Sequence, residues 1–181
     1  MWLRVARACD CHPARFARKN LAAAPKHRGR CYQNAMRLEL RVFTKDDHAA
    51  ALQLWEASEG VGLSDADSFE NIARFLERNP GLSFVATEGE RVVATILCGH
   101  DGRRGLIHHL VVSPTHRRKG IGRQLVERAL AALNDAQIQK CHLLVFRENR
   151  EGIAFWQGIG GEERVLLTLF SLPTGDANPT C

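Results

Sequence analysis

The chain has 181 residues, 45% hydrophobic and 25% charged. That is the size and composition of one ordinary globular domain, and it argues against collagen, a long coiled coil or wholesale disorder. No apolar run approaches the ~20 residues that cross a bilayer as a helix, which excludes an integral helical membrane protein. The formal net charge of +5 is unevenly placed: residues 1–35 hold eight Lys/Arg against one acid, Asp10, a net of +7, whereas residues 36–181 hold 17 Lys/Arg against 19 Asp/Glu, a net of −2.

Residues 1–35 show no sustained apolar period and are broken by Pro13, Pro25 and Gly29. They are expected to be a disordered basic extension or foreign to the native protein. They lack the apolar stretch of a secretory signal. They are Arg-rich and acid-poor like a mitochondrial transit peptide, but contain no Ser. Cys9, Cys11, His12, His27 and Cys31 match no standard zinc spacing, and no metal is expected. A nucleic-acid partner would rest on this segment alone. Met36 precedes an alternating strand, so it is expected to be the natural start, with 1–35 an upstream translation. Of the six cysteines, Cys98 and Cys141 lie in apolar runs and are expected to be buried free thiols. The absence of a disulfide framework favours the cytoplasm.

From residue 36 the elements follow in order. The stretch 37–43 alternates as a strand. Asp46-Asp47 can cap a helix carrying Ala51, Leu52 and Trp55, which Gly60 and Gly62 break. Asp67 with Glu70 resembles a capping box before a helix with Phe69, Ile72, Phe75 and Leu76 turned inward. Asn79-Pro80-Gly81 stops it. Strands are expected at 82–87, 91–99 and 105–112, with turns at Glu88-Gly89-Glu90 and Asp101-Gly102. A helix from about Gly120 to Leu133 carries an apolar stripe of Ile121, Leu125, Ala129, Leu130 and Leu133. A strand at 140–146, a short helix at 149–159 and a last strand at 165–172 complete a domain at 36–172. Residues 173–181 are expected to be a flexible tail. A meander followed by a crossover helix gives a mixed sheet with packed helices, an α/β arrangement.

The segment Leu110-Val111-Val112-Ser113-Pro114-Thr115-His116-Arg117-Arg118-Lys119-Gly120-Ile121-Gly122 carries the chemistry. A strand feeds a basic turn, and two glycines open a helix. A helix N-terminus offers unpaired N–H groups and partial positive charge, and glycine lets an anion approach them. This predicts a phosphate or pyrophosphate site. A Walker loop fails, because Lys119 precedes the glycine and no Ser/Thr follows. The dinucleotide fingerprint fails, because Leu125 stands where its third glycine belongs.

Arg117-Arg118-Lys119-Gly120-Ile121-Gly122 resembles the acyl-CoA loop, Gln/Arg-x-x-Gly-x-Gly/Ala, of the GNAT N-acetyltransferase superfamily. The resemblance covers roughly 37–171 and includes Leu-x-Val-x-Pro at 110–114, Asn149, Phe155-Trp156 and Gly160. It looks most like small bacterial members of unassigned substrate. It implies a GNAT fold: a mostly antiparallel mixed sheet of six to seven strands, a V-shaped splay between the fourth and fifth, and helices on both faces. The implied activity is transfer of the acetyl group of acetyl-CoA, a co-substrate, to a primary amine by direct attack in a ternary complex. The backbone of 117–122 would hold the pyrophosphate, with Arg117, Arg118, Lys119 and Arg123 adding charge. Leu110 and Val112 would hydrogen-bond pantetheine through their backbone, and Asn149 would contact it. Val111 and Phe155 fall in the same CoA-binding set.

The base is open between His108, His109 and water or self-ionisation of the substrate; the ordinary pKa of the two imidazoles suits proton relay. Strand alternation implies that only one faces the cleft, and His108 shares parity with Leu106 and Leu110. Some relatives resembling arylalkylamine acetyltransferases carry a catalytic His at the position of His108. The family's acidic Tyr is replaced by Trp156, which cannot supply a proton. Trp156 is therefore expected to pack near the pantetheine sulfur while solvent protonates the thiolate. Trp55, Glu56, Glu59 and the loop 100–105 are candidates for the acceptor side. A small-molecule amine or a peptide N-terminus would be the partner, a membrane is not expected, and a homodimer is a candidate assembly because dimers are common in the family. Alternatives are a protein N-terminal alanine acetyltransferase of the ribosomal-protein-modifying type and a non-catalytic acyl-CoA sensor.

Overall fold

The alternating segment after Met36 becomes the edge of a five-stranded sheet in the computed structural model, which describes residues 38–174. The expectations for 1–35 and 175–181 lie outside the described residues. The strands are β1 (Leu38–Val42), β2 (Phe84–Glu88), β3 (Arg91–His100), β4 (Gly105–Val112) and β5 (Cys141–Leu143), in spatial order β1-β2-β3-β4-β5. Successive pairs from β1 to β4 are antiparallel, and β4 pairs β5 in parallel.

Helices cover both faces. On one, α1 (His48–Glu56) and α2 (Phe69–Arg78) bring Ala51, Trp55 and Ile72 onto Val85, Val92, Leu97 and Val111. On the other, α3 (Ile121–Asp135) sets Ile121, Leu125, Val126, Ala129 and Leu133 against Phe84, Ala86, Val93, Ile96 and Ile107. α4 (Arg150–Gly158) adds Phe155 and Trp156 at the rim of that core. Full burial of an aliphatic side chain is worth about 1.5–3 kcal/mol. Packing of the stripe therefore fixes α3, and with it the position of the helix's first turn.

Three expectations are corrected. The sheet has five strands among the described residues rather than six or seven, and 165–172 forms none. Instead Leu167 N–H closes a turn onto the Arg164 carbonyl at 3.0 Å, with Leu166 94% and Phe170 85% exposed. The cause is β5, which spans Cys141–Leu143 instead of 140–146 and matches β4 only from Gly105 to Ile107. Such a short edge leaves little for another strand to join. Second, Asp67 does not pair with Glu70. Ser64 and Asp67 form the capping box of a 3-10 turn at Asp65–Asp67, and Ser68 caps α2 by accepting from Asn71 N–H at 3.4 Å. Third, Phe69 is 47% exposed. At the first residue of α2 it reaches the edge of the His48 ring, 5.6 Å away, rather than the sheet core.

Candidate active site

The loop between β4 and α3 is built from backbone. After a 3-10 turn at Pro114–His116, Arg117 is extended, Arg118 takes φ +61° and Gly120 caps α3 at φ +78°. The first backbone bond of the helix runs from Gln124 N–H to the Gly120 carbonyl at 3.1 Å. The N–H groups of residues 118–123 find no acceptor among the described residues, and no side chain caps the helix. Left-handed residues beside helical ones turn successive N–H groups toward one concavity, an anion-binding nest reinforced by the helix dipole. A Cβ built on Gly120 would meet only Gln124 Nε2, at 3.9 Å. The space before these N–H groups is open, and glycine is required there by its φ.

Around the nest, Arg117, Arg118, Lys119 and Arg123 are exposed, whereas Ile121 is 2% exposed and anchors the turn in the core. Arg117 donates from Nε to the Val112 carbonyl at 3.2 Å and lies 3.6 Å from the exposed Glu151 carboxylate. Gly122 adjoins Phe155 and Val112, with ordinary van der Waals room for a Cβ. Phe155 meets Trp156 edge to face at 5.2 Å, both half-buried. Asn149 caps α4 by accepting from Gly152 N–H at 2.8 Å. It also abuts Gly60, where a Cβ would come within 2.7 Å of its Nδ2.

β4 outruns its parallel partner. Pairing with β5 ends at Ile107–Leu143, so residues 108–112 lack a neighbour on that side among the described residues and the two strands diverge. Along this stretch Leu110 and Val112 pack toward the α3 face, and buried Val111 packs toward α1 and α2.

The expected alternation of His108 and His109 fails for a physical reason. The β3–β4 register shifts between Thr95 and Leu97, which face Val111 and His108. This bulge inserts an extra residue in β4, and His109 adopts φ +42° to accommodate it. Ile107 and Leu110 consequently share the α3 face, and both imidazoles turn to the opposite one. His109 stacks on Trp55 with centroids 4.5 Å apart, and His108 meets the Phe75 ring at 6.0 Å. The two imidazoles and Phe75, together with Ala66, Asp67, Asn71, Ile72 and Leu97, line a cavity of about 360 Å³.

Polar bonds hold His109 there. Its Nε2 lies 2.6 Å from Asp67 Oδ1. The other carboxylate oxygen, Oδ2, accepts from Ser64 N–H at 2.8 Å. The Asp67 carbonyl accepts from His48 Nε2 at 2.8 Å. From below, Trp55 Nε1–H donates to Thr95 Oγ1 at 2.8 Å, and the Thr95 hydroxyl donates to the His109 carbonyl at 3.0 Å. Positive φ in a non-glycine residue is costly and persists only where the surroundings over-determine it, as these bonds do. Burial first, and the neighbouring His109 second, hold His108 below its ordinary value of 6.5, against the pull of the Asp67 carboxylate.

Sequence reasoning missed Asp67 as a site residue. The signal available was Ser64-x-x-Asp67, a capping box three residues upstream of the one chosen; what the carboxylate reaches beyond it lies 42 residues away. Trp55 sits under the site, while Glu56 and Glu59 are exposed. The hairpin tip closes on itself, with Asp101 Oδ1 accepting from Arg103 and Arg104 N–H, both at 2.7 Å. Cys98 is buried and Cys141 half-buried. Interaction with the Cys141 thiol first, and burial second, raises the Cys98 thiol, while the Cys98 thiol lowers that of Cys141. An open depression of about 550 Å³, lined by Arg147, Arg150, Ile153, Ala154, Gln157 and Glu163, shares no residue with the loop or the bulge. No group of metal-binding side chains occurs among the described residues. No helix among them is long and apolar enough to cross a membrane.

A model of the acetyltransferase (GNAT) family matches residues 34–160. An acetyltransferase of Pectobacterium atrosepticum is 31% identical over 132 residues, 73% of this chain and 93% of that protein. One from Photorhabdus laumondii is 33% identical over 127 residues, 70% and 88% of the two chains. Among solved structures, a PaiA N-acetyltransferase from Thermoplasma acidophilum in complex with coenzyme A has a TM-score of 0.62 at 20% identity, covering 69% of this chain and 89% of that one. An aminoglycoside acetyltransferase from an uncultured soil metagenomic sample, in complex with sisomicin, has a TM-score of 0.60 at 17% identity, covering 75% and 97%. At these identities the two structures speak for the fold.

Proposed function

Because the chain belongs to the acetyltransferase (GNAT) family, matched from residue 34 to residue 160, we propose that it transfers the acetyl group of acetyl-CoA to a primary amine by direct attack in a ternary complex. The observation that carries this reading is the nest of unpaired N–H groups at 118–123, open to solvent and placed where β4 parts from β5. Its donors suit a diphosphate, and no side chain blocks it. Arg118, Lys119 and Arg123 add long-range attraction. The unpaired edge of β4 supplies backbone groups at Leu110 and Val112 for the amide-bearing pantetheine arm, in the manner of an added strand. Phe155 and Trp156 wall the approach. Asn149 spends its Oδ1 on the α4 cap, so a pantetheine contact falls to its Nδ2.

The acceptor amine enters the cavity between α2 and the bulge. His109 takes the proton that the amine must lose as its nitrogen forms the new bond to the acetyl carbon. The carbon–sulfur bond breaks, CoA leaves as the thiolate, and solvent protonates it, since indole is no proton source. His108, kept neutral by burial, lines the cavity without a hydrogen-bond partner among the described residues. No cysteine is required by direct attack. Acetyl-CoA is an intracellular metabolite, and a reaction that consumes it supports a cytoplasmic location.

Thiol release from acetyl-CoA, followed with polyamines, aminoglycosides, amino acids and short peptides, tests the reading. At least one amine is expected to accelerate release and to appear acetylated by mass spectrometry. Tight CoA binding without amine-dependent release would instead make the chain an acyl-CoA sensor.

A further inference from the structure

The buried pairing of Asp67 with His109 has a consequence for which imidazole nitrogen can act. An ionised carboxylate only accepts hydrogen bonds, so at 2.6 Å the Nε2 of His109 is the donor. In the neutral ring the lone pair then resides on Nδ1. Among the described residues no protein group hydrogen-bonds Nδ1, and no buried side-chain nitrogen lacks a partner, so Nδ1 is not sealed from solvent. His108 has no such control, because neither of its nitrogens has a partner among the described residues.

We propose that Asp67 is the positioning residue of the acceptor-side base, holding His109 as its Nε2–H tautomer so that Nδ1 is the nitrogen that takes the proton. Asp67 is itself immobilised, with Oδ2 accepting from Ser64 N–H and its backbone carbonyl accepting from His48 Nε2. The Trp55 ring and the Thr95 hydroxyl fix the imidazole plane and the strained backbone beneath it. Asp67 therefore acts through His109 and does not touch the acceptor's reacting nitrogen. As the amine nitrogen bonds to the acetyl carbon, its proton passes to Nδ1. The imidazolium that forms is stabilised by the adjacent carboxylate and returns the proton to solvent after CoA departs. This rests on the acetyl-transfer reading above.

The test uses the full chain and two probe amines. Spermidine is a flexible polycation, and 2-phenylethylamine has a ring that suits the Phe75 and His108 surroundings. Long-range proton–nitrogen NMR of the wild type is expected to show His109 protonated at Nε2 with Nδ1 bare. A wild type carrying the proton on Nδ1 overturns the proposal before any variant is made. In Asp67→Asn the amide can still accept from Ser64 N–H, but its NH2 faces Nε2 and forces the proton onto Nδ1. That variant is expected to lose on the order of 10²-fold in kcat, the usual worth of a general base, with KM for acetyl-CoA unchanged. Asp67→Glu is expected to regain part of the activity.

The pH profile separates this role from a purely structural one. The titratable groups around the His109 ring are Asp67 from the 3-10 turn, His108 from β4 and, through the Asp67 carbonyl, His48 from α1; Trp55 and Thr95 carry no charge. Asp67→Asn is expected to lose the acid limb of kcat seen in the wild type, because Nδ1 then carries a proton whether or not the ring is charged. An active wild type whose Asp67→Asn variant keeps both kcat and pH profile overturns this proposal alone. A wild type that releases no thiol with any amine of the panel overturns the transfer reading and this one with it.

Discussion

The nest before α3 and the bulge of β4 lie at opposite ends of the same short stretch of chain, and they are built on opposite principles. The nest is exposed and works through main-chain N–H groups. Its basic side chains surround it without bonding across it, and its one strict requirement is a residue that tolerates φ +78°. The bulge is half-buried and works through side chains from four separate segments, with Asp67, Trp55 and Thr95 each holding His109 by a different bond or contact. A backbone site should be insensitive to most side-chain changes and vulnerable to a change in conformation. A side-chain site should be the reverse.

Substitutions sharpen or break that contrast. The largest effect is expected for His109→Gln, which removes the base and should lower kcat roughly 10²-fold while leaving CoA affinity intact. A matching loss of CoA affinity by calorimetry would merge the two regions into one. Next is Gly120→Val. A β-branched residue is strained in the left-handed region, and its side chain would fill the open space before the nest, so CoA affinity should fall at least about tenfold, or ~1.4 kcal/mol. Unchanged affinity would show that the nest does not hold the diphosphate.

Lys119→Ala should weaken CoA binding only by about two- to threefold at low salt, and less as screening rises. A loss as large as that of Gly120→Val would mean that the side chain is the ligand. The smallest effect concerns pH. Because the folded protein holds His108 below 6.5, the unfolded chain binds more protons in acid. The stability contributed by neutral His108 is therefore complete above that pH and is lost as the pH falls. His108→Phe should make the decline in Tm from about pH 7.5 to about pH 5.5 shallower than in the wild type. A steeper decline would reverse the sign of the argument.

How far each region could be read from the residues follows from the same contrast. The nest is local: a strand, a Pro, three cations and two glycines within a dozen positions state both its conformation and its charge. The apolar stripe of α3 likewise announces the helix and the face it buries, except at Leu130, which is 44% exposed. The bulge is a tertiary event. Nothing in Ile107-His108-His109-Leu110 marks the extra residue, so alternation assigned the imidazoles to opposite faces, and Asp67 read as a helix cap because its longer-range bond spans 42 residues. The run 165–172 looks like a strand by composition, since β propensity reflects how side chains fit a pleated, half-buried surface. Here no neighbouring strand offers that surface beyond the short β5.

The most direct test of the central claim is calorimetry of the intact chain with two ligands, CoA and pantetheine, which shares the arm but lacks the diphosphate. Saturable heat with CoA, and none with pantetheine at the same concentration, is the predicted result. Equal binding of the two, or no heat with either, would contradict a nest that grips the diphosphate through main-chain nitrogens.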